Sequence, residues 1–329
     1  MLAVDGGNAK TDVALLTADG ALLSWVRGPG STLGARRAAA LIARLATAAA
    51  HEAGLDPAGL AGAHAACYLA GADLPWQAEA LRGAIAEHGP FGWVEVGNDA
   101  WALLRAGAPA AALAVGVVCG AGLKCVARAG ADRFEFPSLG WQSGDLSGAG
   151  DFLAREAVRA AARAEDGRGP ATRLRQAVCD RLAVPTIRTI AERLLEGTLT
   201  EDRLGVLAPV VLEHAGDGDS VAAAIVNVLA AEVVAMARAA RSHVAAAVSG
   251  WTLVAGGGLF ADPAGRLLAA VRVAAPGLEK EFRLSVVNAP PVIGAALLGL
   301  DHLQTAASAD ALRRAFRDIE PRMMMEPTR

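Results

Sequence analysis

The segment Asp5-Gly6-Gly7-Asn8-Ala9-Lys10-Thr11-Asp12 brings a carboxylate, two glycines, a cation and a hydroxyl together in one turn. A glycine-rich turn between strands exposes backbone N–H groups with no side chain in the way, which suits it to cradle an anion such as phosphate. Lys10 and Thr11 add a cation and a hydroxyl to that cradle. Asp5, at the end of a strand, is a hard oxygen donor of the kind that faces Mg²⁺ through water. The same residue types also make an ordinary hairpin. Two further turns share this ambiguity. One is Gly120-Ala121-Gly122, with Lys124 beside it, which reads as a surface residue of a strand. The other is Gly256-Gly257-Gly258, after a strand and opening a helix, where a backbone can approach a phosphate or a flat ligand closely. It lacks the G-x-G-x-x-G spacing and an acidic residue at the dinucleotide distance, which argues against a nicotinamide site.

Carboxylates outside the turns supply acid–base candidates. Asp99, in Gly-Asn-Asp-Ala-Trp, falls at the start of a helix, whose N-terminus favours the ionised form. It is either an N-cap or the base that accepts the proton of a hydroxyl attacking a phosphoryl group. Asp145, flanked by Gly144 before a helix, is a candidate ligand for substrate hydroxyls or metal-bound water, and Asp151 reads as a cap. The six histidines are scattered without metal spacing, and no nucleophile elbow offers a serine. Cys67, Cys119, Cys125 and Cys179 form no Cys-x-x-Cys pair, so a reducing cytoplasm is expected.

These residues need elements to hold them. The chain has 329 residues, 53% hydrophobic and 20% charged, enough for two domains with real cores. A net charge of −3 without any basic run gives no nucleic-acid surface. The N-terminus lacks a basic-then-apolar leader, and the apolar stretches are broken by Arg, Glu or Gly, so neither a signal peptide nor a membrane span is expected. Residues 2–27 read as three strands joined by tight turns, followed by a helix over about 34–53 and short strands at 63–69 and 94–96. From 112 the pattern of strand, glycine turn, strand, short turn and strand recurs. A helical region spans about 147–244, then strands at 251–256 and 283–287 and a closing helix at 290–303. The tail from Glu320 is expected to fray. The result is an α/β fold of two lobes with mixed five-stranded sheets and a helical insertion in the second. The expected division is residues 1–107, residues 108–303 with the insertion, and a C-terminal helix and tail over 304–329.

Taken in order, DGGNAKTD, NDA, CGAG, GW-x-x-GD, AGGG and PPVIGAALLGL resemble the motifs of the BadF/BadG/BcrA/BcrD ATPase family. That family includes N-acetylglucosamine kinases of the actin–hexokinase–Hsp70 superfamily, so the resemblance implies two actin-like (ribonuclease H-like) lobes. It implies ATP and Mg²⁺ as cofactors, a sugar or amino sugar as phosphoryl acceptor, and a cytoplasmic homodimer with neither a nucleic-acid nor a membrane partner. It assigns Gly6, Gly7, Asn8, Lys10 and Thr11 to the first phosphate loop and Gly120, Ala121 and Gly122 to the second. Gly256, Gly257 and Gly258 become the adenosine loop, Asp5 the metal-facing carboxylate and Asp99 the catalytic base. Ser31, Thr32, Gly71, Asn98, Trp141, Gly144 and Asp145 become acceptor contacts. The chain departs from the kinase pattern at Leu33, at Leu123–Lys124 and at Leu146, where the sugar kinases carry polar residues. Two alternatives follow. One is an ATP-driven activator holding an iron–sulfur cluster on Cys119 and Cys125. The other is a sugar-sensing pseudokinase.

Overall fold

A computed structural model describes residues 1–245, 249–305 and 308–324. The chain forms two compact units, Met1–Ala112 with Val287–Arg329, and Leu113–Val286.

The first unit opens with β1 (Leu2–Gly6), β2 (Lys10–Leu16) and β3 (Leu22–Pro29), then α1 (Ala35–Glu52), β4 (His64–Leu69), α2 (Pro75–His88), β5 (Trp93–Gly97) and α3 (Asp99–Gly107). Strand β1 pairs antiparallel with β2 and parallel with β4, and β4 pairs parallel with β5. Side chains alternate across the sheet. Leu2, Val4, Val13, Leu15 and Val26 therefore pack on one side with α1, whose Ala38, Ile42, Leu45 and Ala49 recur at helical spacing. Ala3, Ala14, Leu16 and Trp25 pack on the other.

The second unit carries β6 (Ala114–Cys119), β7 (Leu123–Ala129) and β8 (Asp132–Glu135), and then the insertion: α4 (Gly150–Glu165), α5 (Leu174–Leu182), α6 (Ile187–Leu195), α7 (Ala208–Gly216) and α8 (Ser220–Ala245). It closes with β9 (Trp251–Gly256), α9 (Arg266–Ala274), α10 (Leu278–Glu281) and β10 (Phe282–Val286). Its sheet runs β10-β9-β6-β7-β8. Among the described residues α8 is long and apolar enough to cross a membrane: Ser220–Val244 is 25 residues long and contains a stretch of mean hydropathy 2.0. The sequence reading expects no such stretch. The charges Arg238 and Arg241 gather in the last turns of the helix, which leaves its first part rich in Ala and Val. Leu229, Val233, Met236 and Ala240 of this helix lie in the core of the unit.

The chain then returns to the first unit as α11 (Val292–His302), α12 (Ala309–Asp318) and β11 (Arg322–Met323). This corrects the expected division, which put residues 290–303 with the second lobe. Helix α11 packs its Val292, Ile293, Ala296 and Leu300 against Ala3 and Leu16, and Arg105 of α3 holds Asp301 through bonds of 2.7 and 3.0 Å. The first sheet also has six strands where five were expected. Residues 322–323, assigned to a fraying tail, pair parallel with Val26–Arg27, and the Met324 N–H donates to the Arg27 carbonyl. Residues 325–329 of that tail lie outside the described residues.

Gly294 explains how α11 seats. A Cβ there would stand 1.8 Å from the Ala102 carbonyl oxygen of α3, a backbone atom that has no room to move. Gly294→Ala is accordingly expected to lower stability by about 3 kcal/mol, at the upper end of overpacking costs. The urea midpoint of the variant measures it.

Candidate functional site

In the first unit, β1, β3, β4 and β5 all end at one edge of the sheet, where β2 begins. In α/β sheets this carboxyl edge is where ligands bind. The topology therefore gathers the Gly6–Lys10 loop, the Gly30–Thr32 segment, Gly71 and Asn98–Asp99 from four separate stretches of sequence. The loop is braced on all sides. The Gly7 N–H donates to the Lys10 carbonyl at 2.9 Å, Ser31 to the Gly7 carbonyl at 3.0 Å, and Ala70 to the Gly6 carbonyl at 2.7 Å. Gly30 passes so close that a Cβ would lie 2.0 Å from the Asn8 carbonyl oxygen. Gly7 is half-buried, Asn8 and Thr32 are exposed, and Ser31 is buried beneath the loop. Thr11 is fully buried on the α1 side, so its hydroxyl does not face the loop surface to which it was assigned. The register accounts for this. Thr11 pairs with Gly6 and alternates away from the face that Asp5 and Asp12 share.

Asp5 is 7% exposed, and its carboxyl is raised from 3.8 to about 7. Burial is the main cause. Lys10 opposes it, Asp99 and Asp12 add to it, and Arg27 lowers it. Asp12 lies directly across the strand pair from Asp5 and is fully buried. It accepts from Arg27 Nε at 2.7 Å, Arg27 Nη2 at 3.0 Å and Trp25 Nε1 at 3.2 Å, and it pairs with the Lys10 ammonium. Asp12, Arg27 and Trp25 were missed as site residues, although the alternation of β2 places Asp12 on the face of Asp5.

Asp99 is the first residue of α3, and the cap is its neighbour. The Asn98 side chain accepts from the Ala100 N–H at 3.0 Å and donates to Asp73 Oδ1 at 2.9 Å. Capping, the alternative role for Asp99, thus falls to Asn98, which is itself buried rather than presented as an acceptor contact. Asp73, which steadies it from the loop after β4, was not singled out in the sequence.

The second unit builds its own convergence at the same kind of edge. The Ala149 and Gly150 N–H groups donate to Ala121 and Gly120 at 2.9 and 2.8 Å, and Leu259 donates to the Cys119 carbonyl at 3.0 Å. Gly257, at φ 92°, passes so close that a Cβ would meet that carbonyl oxygen at 2.5 Å. A Cβ on Gly120, Gly122 or Gly258 would meet nothing, so this side of the cradle is open. The AGGG turn does not open a helix directly. Residues 257–265 fold back over the end of β6 before α9 begins at Arg266. Asp151 is not a cap either, since α4 has no side-chain cap, and burial raises its carboxyl. Lys124, read as a surface residue, is buried and paired with Glu135 at 2.8 Å.

Trp141, Gly144 and Asp145 form a tight loop of their own. Asp145 Oδ2 accepts from Ser143 Oγ at 2.6 Å and from the Gly140 N–H at 3.4 Å, and Trp141 is 81% exposed. Ser138 and Ser147 bracket the loop at φ 51° and 63°, a left-handed conformation that non-glycine residues rarely adopt. Glu232 of α8 brings a second carboxylate near. Its carboxyl is raised by burial first and by Asp145 second. Cys119 and Cys125 point into the core of the unit, where burial pushes both thiols up, so neither is presented to a cluster.

Solved structures share this architecture. A Chromobacterium violaceum protein provisionally assigned as an N-acetylglucosamine kinase is 24% identical, with 91% of this chain and 98% of that chain covered at a TM-score of 0.69. A Porphyromonas gingivalis protein with the same provisional assignment is 15% identical, with 92% and 98% covered and a TM-score of 0.61. A ROK family glucokinase from Streptomyces griseus, solved with glucose and AMPPNP, is 19% identical, with 92% and 98% covered and a TM-score of 0.57. At such identities the likeness shows the fold, and function is argued from the site. No curated protein matches the chain. The BadF/BadG/BcrA/BcrD ATPase family, in contrast, matches residues 2–299, which is nearly the whole chain and every loop described above. The chain therefore belongs to the BadF/BadG/BcrA/BcrD ATPase family.

Proposed function

We propose that this family member is an ATP-dependent carbohydrate kinase, transferring a phosphoryl group to a hydroxyl of a sugar or amino sugar. One observation carries the reading. The glycine loop Gly6–Lys10, the buried Asp5 and the uncapping carboxylate Asp99 meet at one sheet edge, as a phosphoryl transfer site requires. The kinase assignments of the similar structures, and the glucose and AMPPNP held by one of them, support it.

The residues fit the groups the reaction needs. Asp5 is a buried hard oxygen donor that a divalent cation would compensate. Among the described residues no three His, Cys, Asp or Glu side chains converge as a metal cage. Mg²⁺, which keeps much of its hydration, would be held through water by Asp5. In the first unit the Gly6–Lys10 loop would cradle phosphate, and in the second unit the glycine turns at 120–122 and 256–258 are phosphate-loop candidates of their own. Bound Mg²⁺·ATP would supply the phosphoryl group and neutralise its charge. Asp99 would accept the proton of the attacking hydroxyl. Thr32 and Gly71 are the acceptor contacts proposed in the first unit, and the Trp141–Asp145 loop is the one proposed in the second. Leu33, exposed, and Leu146, half-buried, stand where the sugar kinases carry polar residues, which argues against N-acetylglucosamine itself as the acceptor.

Asp99→Asn is expected to lower kcat by about a thousandfold while ADP binding persists, the range of a lost general base. Wild-type turnover in this variant would remove Asp99 from the mechanism. ADP release measured across sugars, amino sugars and their N-acetyl forms identifies the acceptor. A sugar that binds without releasing ADP would favour the sensing role instead.

Asp5 adds a pH test on the nucleotide-free protein. A carboxyl raised from 3.8 to about 7 keeps its proton more tightly in the folded chain. Its burial therefore costs nothing below about pH 4, costs progressively more as pH rises, and costs the full amount above pH 7. Asp5→Asn is expected to raise the urea midpoint at pH 8 and leave it nearly unchanged at pH 4. An equal effect at both values would contradict the assigned environment.

A further inference from the structure

Asp12 has three partners arranged so that one can leave. Arg27 grips it with two bonds, at 2.7 Å to Oδ1 and 3.0 Å to Oδ2, and Trp25 Nε1 donates to Oδ1 at 3.2 Å. Arg27 is itself fixed, being directly across the strand pair from Asp12 with its guanidinium 5.4 Å from the Trp25 ring centre. The planar two-point grip of an arginine on a carboxylate is pre-organised and persistent. The third partner is Lys10, whose side chain is 37% exposed while Asp12 is fully buried. Lys10 is the first residue of β2, and its carbonyl closes the glycine loop by accepting from Gly7. Its ammonium rides on a flexible four-carbon stem at the very edge where the loop amides lie. Asp12 would stay charge-balanced by Arg27 if the lysine turned away. A buried carboxylate with no cation at all is strongly disfavoured, so the arginine is what lets the lysine leave.

We propose that Asp12 is a positioning residue. In the nucleotide-free protein it holds Lys10 against β2, and when a nucleotide phosphate occupies the Gly6–Lys10 loop it releases the lysine to that phosphate, Arg27 remaining on Asp12. No covalent bond changes in this exchange. One ion pair, lysine to aspartate, is replaced by another, lysine to phosphate. The hand-over rests on the nucleotide-binding reading above, and it makes Asp12 a competitor of the ligand for the same cation.

The test is calorimetric titration with ADP in EDTA, paired with urea denaturation, on wild type, Lys10→Met, Asp12→Asn and the double variant. Lys10→Met is expected to weaken ADP binding about tenfold, the size of one charge-assisted contact. It should leave the urea midpoint close to wild type, because Asp12 keeps its arginine and its tryptophan. Asp12→Asn, which removes the competing charge, is expected to tighten ADP binding severalfold, and much less so when Lys10 is already Met. A Lys10→Met variant with a lowered midpoint and unchanged ADP affinity would make the lysine a structural partner and overturn the proposal. So would an Asp12→Asn variant that binds ADP more weakly. If Asp12→Asn does not fold, the two measurements on Lys10→Met decide. Failure of the wild type to bind ADP would remove the nucleotide reading itself and the hand-over with it, whereas wild-type binding with an indifferent Lys10→Met removes the hand-over alone.

Discussion

Two aspartates facing each other across neighbouring strands set the terms for the first unit. Asp5 and Asp12 occupy the same face of the sheet, one 7% exposed and the other fully buried. Like charges directly opposite one another on a sheet repel, and burial strengthens the repulsion. Arg27 and Lys10 supply the balancing charge, and they come from the next strand and the next turn. The surroundings follow from that need. Trp25 adds a bond to Asp12, and Phe316 of α12 packs edge-on to Trp25 at 5.1 Å. The helices of the chain's return thus close over a polar cluster that the strands alone would leave wet.

The second unit solves a different problem with backbone rather than charge. Its loops at residues 119–122, 148–151 and 255–258 bond one another through main-chain groups, and Gly257 approaches Cys119 more closely than any side chain permits. Glycines with a neighbour at the missing Cβ hold the loops together. Glycines with open space there leave one side of the turn uncovered. The same residue type serves both purposes, and only the surroundings separate them.

Capping in the first unit falls to a neighbour of the candidate base: Asn98 caps α3, Asp73 steadies Asn98, and Asp99 stands as the first residue of the helix. Cys119 and Cys125 illustrate the converse, since they lie on adjacent strands with their side chains buried in the core, where they are not presented to a cluster.

Much of this was legible in the residues. Strand and helix periodicity, the two glycine turns at matching places, Asp99 after a short strand and the order of the motifs led to the α/β architecture and to the ATPase family, because local pattern and turn chemistry act over a few residues. The sequence could not show which face a residue takes or what lies across from it. Thr11 and Asp12 are adjacent in one motif, yet one side chain faces α1 and the other faces Asp5. Lys124 looked like a surface residue until Glu135 was found beside it. Helix α11 follows the second unit in the chain but packs on the first, because Gly294 lets it approach α3 and its apolar face fits β1. Burial, pairing across strands and the destination of the returning chain depend on contacts between residues far apart in sequence, and those only the tertiary structure decided.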